Sequence, residues 1–346
     1  MKKLTALVGL ATLVGGAPSS AVTIDWVTVG DPGNAADTEV MNDGTTGYGS
    51  VAYNYQISKY EVTNVQYTEF LNAVAATDTY QLYDTTLPNA VAGNGSYSLP
   101  PRGITRSGAA GSYAYSVVSG EENMPVNYVT FYSALRFANW LHNGQPTGSQ
   151  TNATTEDGAY TFTSSPSAPP ITRNPGASIF LTSEDEWYKA AYYDAVSASY
   201  NPLPVAGGIT CTQPGPTPNT GNCPGSGAGG TTPVGAYSGS PSPNGTFDQG
   251  GNLREWNEAI FTGGSSRGLR GGAYAEVFNL YMASSQRFQA STNLDDGSYQ
   301  ANPGRVGFRV ASVVPEPSTA LLLGLGLVGM AAKKRSRGSA VPVERR

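Results

Sequence analysis

The chain has 346 residues, enough for one large or two modest domains that bury a real core. Charged residues are only 13%, against about 25% in an average soluble protein, and Gly (43), Pro (24) and Tyr (21) are plentiful, which favours turns and loops over helices. Between Val22 and Pro315 twelve basic residues face 23 acidic ones, and this net −11, uninterrupted by any basic stripe, argues against nucleic acid as a partner.

Residues 1–21 begin with Lys2 and Lys3, run through an apolar stretch from Leu4 to Val14 and end in Ser19-Ser20-Ala21, the pattern of a secretory signal peptide. Residues 22–50 follow as an N-terminal extension. The body, 51–312, has no internal repeat and no Pro/Ser linker, so one domain is the simplest partition. Its first amphipathic helix is predicted over 63–76, with Thr63 as N-cap, Val62 packing back on the first turn, and Val65, Phe70, Leu71 and Val74 along one face. A second spans 130–143, capped by Thr130 and stopped by Asn143-Gly144. The third is short and opens on a capping box, Ser183 to Glu186, whose acids suit the positive end of the helix dipole. Strands are predicted at 53–58, 179–182, 269–274 and 306–311, and long surface loops at 78–122, 145–175 and 201–232. Few helices and scattered strands make the fold class α+β.

His142 is the chain's one histidine, which excludes multi-histidine metal sites and reads otherwise as a capped or exposed helix-end residue. Cys211 and Cys223 lie in a Pro/Gly-rich loop of an exported chain, where a disulfide is the default and a redox-active pair the weaker reading. Trp140, Trp187 and Trp256 read as core anchors rather than ligand platforms. Arg270, Arg287 and Arg309 either line a cleft for an acidic or sugar ligand or are buried partners of Glu255, Glu258 or Glu276.

The C-terminal segment has its own logic. An apolar run of fifteen residues from Ser318 to Ala332 would span about 22 Å as a helix against a hydrocarbon core of about 30 Å, and Lys333, Lys334, Arg335 and Arg337 would hold its end in the cytoplasm. With Pro315-Glu316-Pro317 ahead of it, residues 314–337 resemble the PEP-CTERM sorting signal of bacterial envelope proteins; 338–346 would be a cytoplasmic tail. That resemblance implies recognition by an exosortase-type membrane enzyme, removal of the tail, and delivery to the cell envelope or extracellular matrix. Membrane contact is then transient and confined to this segment. An ordinary C-terminal anchor is the alternative.

Five segments also fall in a recognisable order. They are Ile57 to Asn64; Met124-Pro125-Val126-Asn127-Tyr128-Val129-Thr130 leading into Asn139-Trp140-Leu141; Leu181 to Trp187; Gly250-Gly251-Asn252-Leu253-Arg254-Glu255-Trp256; and Leu269-Arg270-Gly271-Gly272-Ala273-Tyr274 with Gly307-Phe308-Arg309-Val310. Together they resemble the formylglycine-generating enzyme (sulfatase-modifying factor) family, over about 260 residues. The resemblance implies an irregular fold related to C-type lectins, with little regular secondary structure. It also implies copper held by two cysteines, but aligning on Gly271-Gly272 puts Glu276 and Tyr281 where those cysteines stand. Carboxylate and phenol are hard oxygen donors, so no copper is expected. Sulfoxide synthases, a histidine-dependent branch of the same fold, are excluded by the single histidine. A calcium site is implied at Asp248, Gly251, Leu253 and Glu255, two carboxylates and two carbonyls that suit Ca²⁺; the plainer reading makes Asp248 and Glu255 turn and strand-edge residues, or pairs Arg254 with a neighbouring acid. The leading expectation is therefore a non-catalytic binding or matrix module with extracellular polysaccharide or envelope proteins as partners. The alternatives are a formylglycine-generating-type oxidoreductase acting on an exported protein, and a calcium-dependent glycan binder.

Overall fold

The computed structural model describes residues 21–85, 103–163, 170–261, 264–276, 279–294 and 302–314. The signal-peptide reading at 1–20, the sorting motif Pro315-Glu316-Pro317, the apolar run and the basic tail lie outside the described residues. In chain order the strands are β1 (Trp26–Val29), β2 (Tyr55–Ser58), β3 (Ile104–Ser107), β4 (Ala114–Val117), β5 (Ile179–Leu181), β6 (Tyr193–Asp194), β7 (Ser199–Tyr200), β8 (Thr210–Cys211), β9 (Thr220–Gly221), β10 (Arg254–Ile260), β11 (Ser266–Arg270), β12 (Phe288–Ser291), β13 (Val306–Gly307) and β14 (Val310–Val313). Three α-helices accompany them among the described residues: α1 (Asn64–Val74), α2 (Phe131–His142) and α3 (Glu184–Tyr192).

Two four-stranded sheets organise the domain, one in the order β1-β2-β14-β5 and the other β12-β11-β10-β13. The first is antiparallel throughout, while β13 joins β10 in parallel. The chain passes from one sheet to the other between β13 and β14, through Phe308 and Arg309, so those two residues sit at the joint. Residues 22–50 are woven into the domain: β1 pairs with β2 along Trp26↔Ser58 to Val29↔Tyr55, and Val29 is fully buried.

The helices follow their sequence signals. Thr63 accepts from Gln66 N while Gln66 Oε1 accepts from Thr63 N, and Ser183 and Glu186 form the same reciprocal box on α3. Thr130 caps α2, and Gly144 follows its end at φ +82°. The buried faces of α1 and α2 meet over one aromatic cluster, in which the Phe137 ring lies 5.4–5.9 Å from those of Tyr67, Phe70, Trp140 and Phe308. Each such side chain contributes roughly 1.5–3 kcal/mol by leaving water. Trp140, Trp187 and Trp256 are all core residues, and each indole N–H has a partner: Pro146 O, Glu255 Oε2 and Val129 O.

Three sequence expectations need correction. The strand predicted at 269–274 ends at Arg270, because Gly271 and Gly272 take φ +100° and +70° and leave the extended region. The strand predicted at 306–311 is two short strands in different sheets. The loops at 78–122 and 201–232 contain the β3–β4 hairpin and the parallel pair β8–β9.

Cys211 and Cys223 are disulfide-bonded, with Cα atoms 5.1 Å apart, stapling the β8–β9 loop. Closing a loop of this length is worth about 3 kcal/mol in the chain-entropy model. A Cys211→Ser/Cys223→Ser variant is expected to lose about that much in urea titration, with m rising only slightly. An unchanged midpoint would mean that the loop is held by its other contacts alone.

Candidate functional site

The segment that follows β11 is shaped by two glycines. A Cβ on Gly271 would meet Gln249 O at 2.9 Å and the Trp187 ring at 3.2 Å, so backbone and indole close on this turn. Glu276 and Tyr281, which the sequence reading sets against the family's cysteines, come next. Glu276 Oε2 accepts from Arg254 Nη2 at 2.6 Å, and both side chains are essentially inaccessible. Tyr281 stands edge-on to Phe288 with ring centroids 5.3 Å apart, and the Arg254 guanidinium lies 5.1 Å from that same ring. Glu276 is thus engaged in a buried ion pair and Tyr281 in an aromatic contact. The acid that pairs with Arg254 is Glu276.

The expected calcium donors lie on the loop entering β10 and, for Glu255, at the strand's second residue. Glu255 is fully buried and closed by a guanidinium: Arg309 Nε donates to Oε2 at 2.5 Å and Nη2 to Oε1 at 2.7 Å, and Trp187 Nε1 adds a third bond to Oε2 at 2.7 Å. Asp248 accepts from Gly235 N at 2.6 Å. Burial, assisted by the charge of Glu255, pushes the Asp248 carboxyl up to about 6 against the pull of the Gly235 bond and Arg309. Leu253 N and Asn252 Nδ2 donate to a third carboxylate, Glu61, at 3.1 and 2.7 Å, and burial together with Asp248 and Glu255 raises Glu61 well above the ordinary glutamate value. Gly251 N is bonded to Gly271 O at 2.9 Å.

This donor set does not fit Ca²⁺ as the resemblance drew it. A divalent ion at Glu255 would have to displace a bidentate arginine, and among the described residues no three acidic, histidine or cysteine side chains are grouped to hold a metal ion.

The arginines resolve toward ion pairs. Arg309 partners Glu255, as one expectation had it, whereas Arg270 and Arg287 converge on Glu184 at 2.8 Å each, an acid assigned only to capping. Glu258 belongs to Arg173, which also holds Glu186. Arg287 reaches Asp43 as well; burial works against that carboxylate, but hydrogen bonds from Thr45 and Arg287 outweigh it and hold Asp43 down to about 2. His142 lies at the end of α2, its Nδ1 3.1 Å from Ser178 N and 2.8 Å from Ser178 Oγ.

Sequence reasoning missed Glu61, although Tyr60-Glu61-Val62-Thr63 lies in the first of the family-like segments. It also missed a tyrosine-walled cleft between the end of α1, the β3–β4 hairpin and the start of α2. Its residues come from four separated segments, and the only signal in the chain was the high tyrosine count.

The model of the sulfatase-modifying factor enzyme 1-like domain matches residues 31–314, most of the chain. The chain belongs to this family. The solved structure of CarF shares the sulfatase-modifying factor fold with this domain: TM-score 0.53 at 19% identity, covering 84% of this chain and 99% of that one. Treponema denticola variable protein 1 (TM-score 0.48, 18% identity, 86% and 98% covered) and PvdO from Pseudomonas aeruginosa (0.46, 17%, 84% and 94%) are further matches. A search of curated proteins finds no match. Residues 313–336 match the PEP-CTERM protein-sorting motif, which marks an exported, envelope-associated protein recognised by an exosortase-type enzyme. Among the described residues no helix is long and apolar enough to cross a membrane.

Proposed function

We propose that this sulfatase-modifying factor domain is a non-catalytic binding module of the cell envelope, exported by an N-terminal signal peptide and anchored transiently by its sorting segment. The observation that carries the reading is the pairing of Glu276 with Arg254. A copper-dependent oxidation of a cysteine substrate needs soft thiolate ligands to hold Cu(I). Here one of the two matching positions is a carboxylate committed to a buried arginine, and the other is a phenol packed on Phe288. The chain's two cysteines are spent on each other in the β8–β9 loop. These contacts weigh against the oxidoreductase alternative, and the arginine on Glu255 weighs against the calcium-dependent glycan reading. Extracellular polysaccharide and other envelope proteins are the partners that the sorting signal makes accessible.

The test is to load the purified full chain with Cu(I) and follow O₂ consumption and aldehyde formation on a cysteine-containing peptide. No turnover above free copper is expected. Stoichiometric copper binding with conversion of the peptide thiol to an aldehyde would overturn the proposal.

A further inference from the structure

The tyrosine-walled cleft has a volume of about 820 Å³, within the usual range for a small-ligand site. None of Glu276, Arg254, Glu255 and Arg309 lines it. Tyr80, Tyr83, Tyr113, Tyr128 and Tyr132 supply its walls. Tyr83 is buried and donates to Ile104 O at 3.1 Å. Tyr80 is 43% exposed and the other three are half-buried. The hydroxyls of Tyr80, Tyr113, Tyr128 and Tyr132 make no hydrogen bond among the described residues. Each therefore offers an apolar ring and a spare polar tip on a side chain with few rotors, the combination that binding surfaces favour.

The walls are set before any ligand arrives. The Arg136 guanidinium is stacked between Tyr80 and Phe162, 4.4 and 4.0 Å from their centroids, and doubly bonded to Glu156 at 2.7 and 2.8 Å. Arg106 lies 4.1 Å from the Tyr113 centroid and 5.0 Å from that of Tyr83. Asp78 accepts from Leu82 N at 2.7 Å and fixes the turn that carries Tyr80 and Tyr83. Asp78, Gln81 and Tyr128 all line the cleft with φ between +53° and +58°. Non-glycine residues pay of order 1–3 kcal/mol for such a conformation, and it persists at ligand clamps where the surroundings enforce it. Ordering costs on binding are correspondingly reduced.

Charge narrows the ligand. Arg136 is neutralised by Glu156 and Arg106 by Asp78 at 3.4 Å, and Asp84 adds a further acid to the wall. An anion finds no spare cation here, and nucleic acid is opposed by the charge of the whole body. We propose that the cleft binds a short neutral oligosaccharide, with sugar faces on Tyr80, Tyr113 and Tyr128 and sugar hydroxyls on the tyrosine tips. This inference stands whether or not any chemistry survives at Glu276.

The test is calorimetric titration of the full chain in detergent with neutral hexasaccharides of glucose, mannose and xylose, with hexagalacturonate, and with an unstructured dodecapeptide pool. At least one neutral hexasaccharide is expected to bind, with EDTA leaving the affinity unchanged. Tyr80→Ala and Tyr113→Ala should each weaken binding about tenfold. Tyr80→Phe, which keeps the ring, should weaken it less than its alanine counterpart. Tyr80 is largely outside the core, so its variants report on binding without unfolding the domain, and a melting scan of each confirms that. Failure of every neutral sugar, tighter binding of hexagalacturonate or the peptides, loss of binding in EDTA, or alanine variants that bind like the parent would each overturn the proposal.

Discussion

Arg309→Met is expected to cost about 3–5 kcal/mol of folding stability, a third or more of what a domain of ordinary stability possesses. Arg309 donates to both oxygens of Glu255 and to the carbonyls of Ser58 and Phe247, at 3.0 and 2.9 Å, so its loss strands a buried carboxylate and two carbonyls together. It also sits where the chain crosses between the two sheets, which ties that energy to the joint of the fold. Arg309→Lys should not rescue, because a point charge cannot reproduce the two-pronged geometry. Adding Glu255→Gln to Arg309→Met should recover part of the loss by removing the unpaired charge. Urea midpoints measure all three. A shift below about 1 kcal/mol for Arg309→Met would show that water relieves Glu255 and that the pair does not hold the joint.

Asp248→Asn is expected to stabilise the domain near pH 7 by about 3 kcal/mol. Burial lifts the carboxyl from 3.8 to about 6, roughly two units at about 1.4 kcal/mol each. The folded state binds this proton more tightly than the unfolded chain. The group's contribution is therefore fully favourable below pH 3.8 and is lost as pH rises through about 6. Asparagine still accepts the Gly235 bond without the charge, so the variant should be flatter between pH 4 and 7 than the parent. Chemical denaturation at half-unit pH steps, in EDTA and in millimolar Ca²⁺, measures it. If Asp248 ligates calcium instead, the calcium series would show the parent gaining stability over this range and the variant losing it.

Much of the frame was legible because its signals are local. Thr63, Thr130 and the Ser183–Glu186 box cap their helices as read, since capping depends only on residues within one turn. The disulfide was legible from the loop composition and the exported context, and the three tryptophans from their size. What stayed hidden depends on long-range partners. Nothing local says that Glu184 will meet Arg270 and Arg287, about 90 and 100 residues later, or that β10, a mixed polar and apolar segment, becomes a buried central strand. The partner of Glu255 was hidden for the same reason: Arg309, which binds the carboxylate, follows it by 54 residues and lies at the joint between the two sheets. The cleft was the least visible element, because its tyrosines acquire meaning only when four distant segments close around one space.

The last described strand, β14, does not lie at an edge; it is hydrogen-bonded on both sides, to β2 and to β5. The first sheet therefore stays incomplete until residues 310–313 are free to pair, and the sorting motif begins at that same point of the chain. Only four residues separate Val313 from the start of the apolar run at Ser318, a reach of at most about 18 Å. If that run anchors the chain as proposed, completion of the domain and its capture at the membrane would be nearly one event, with the finished domain held close against the lipid headgroups until released.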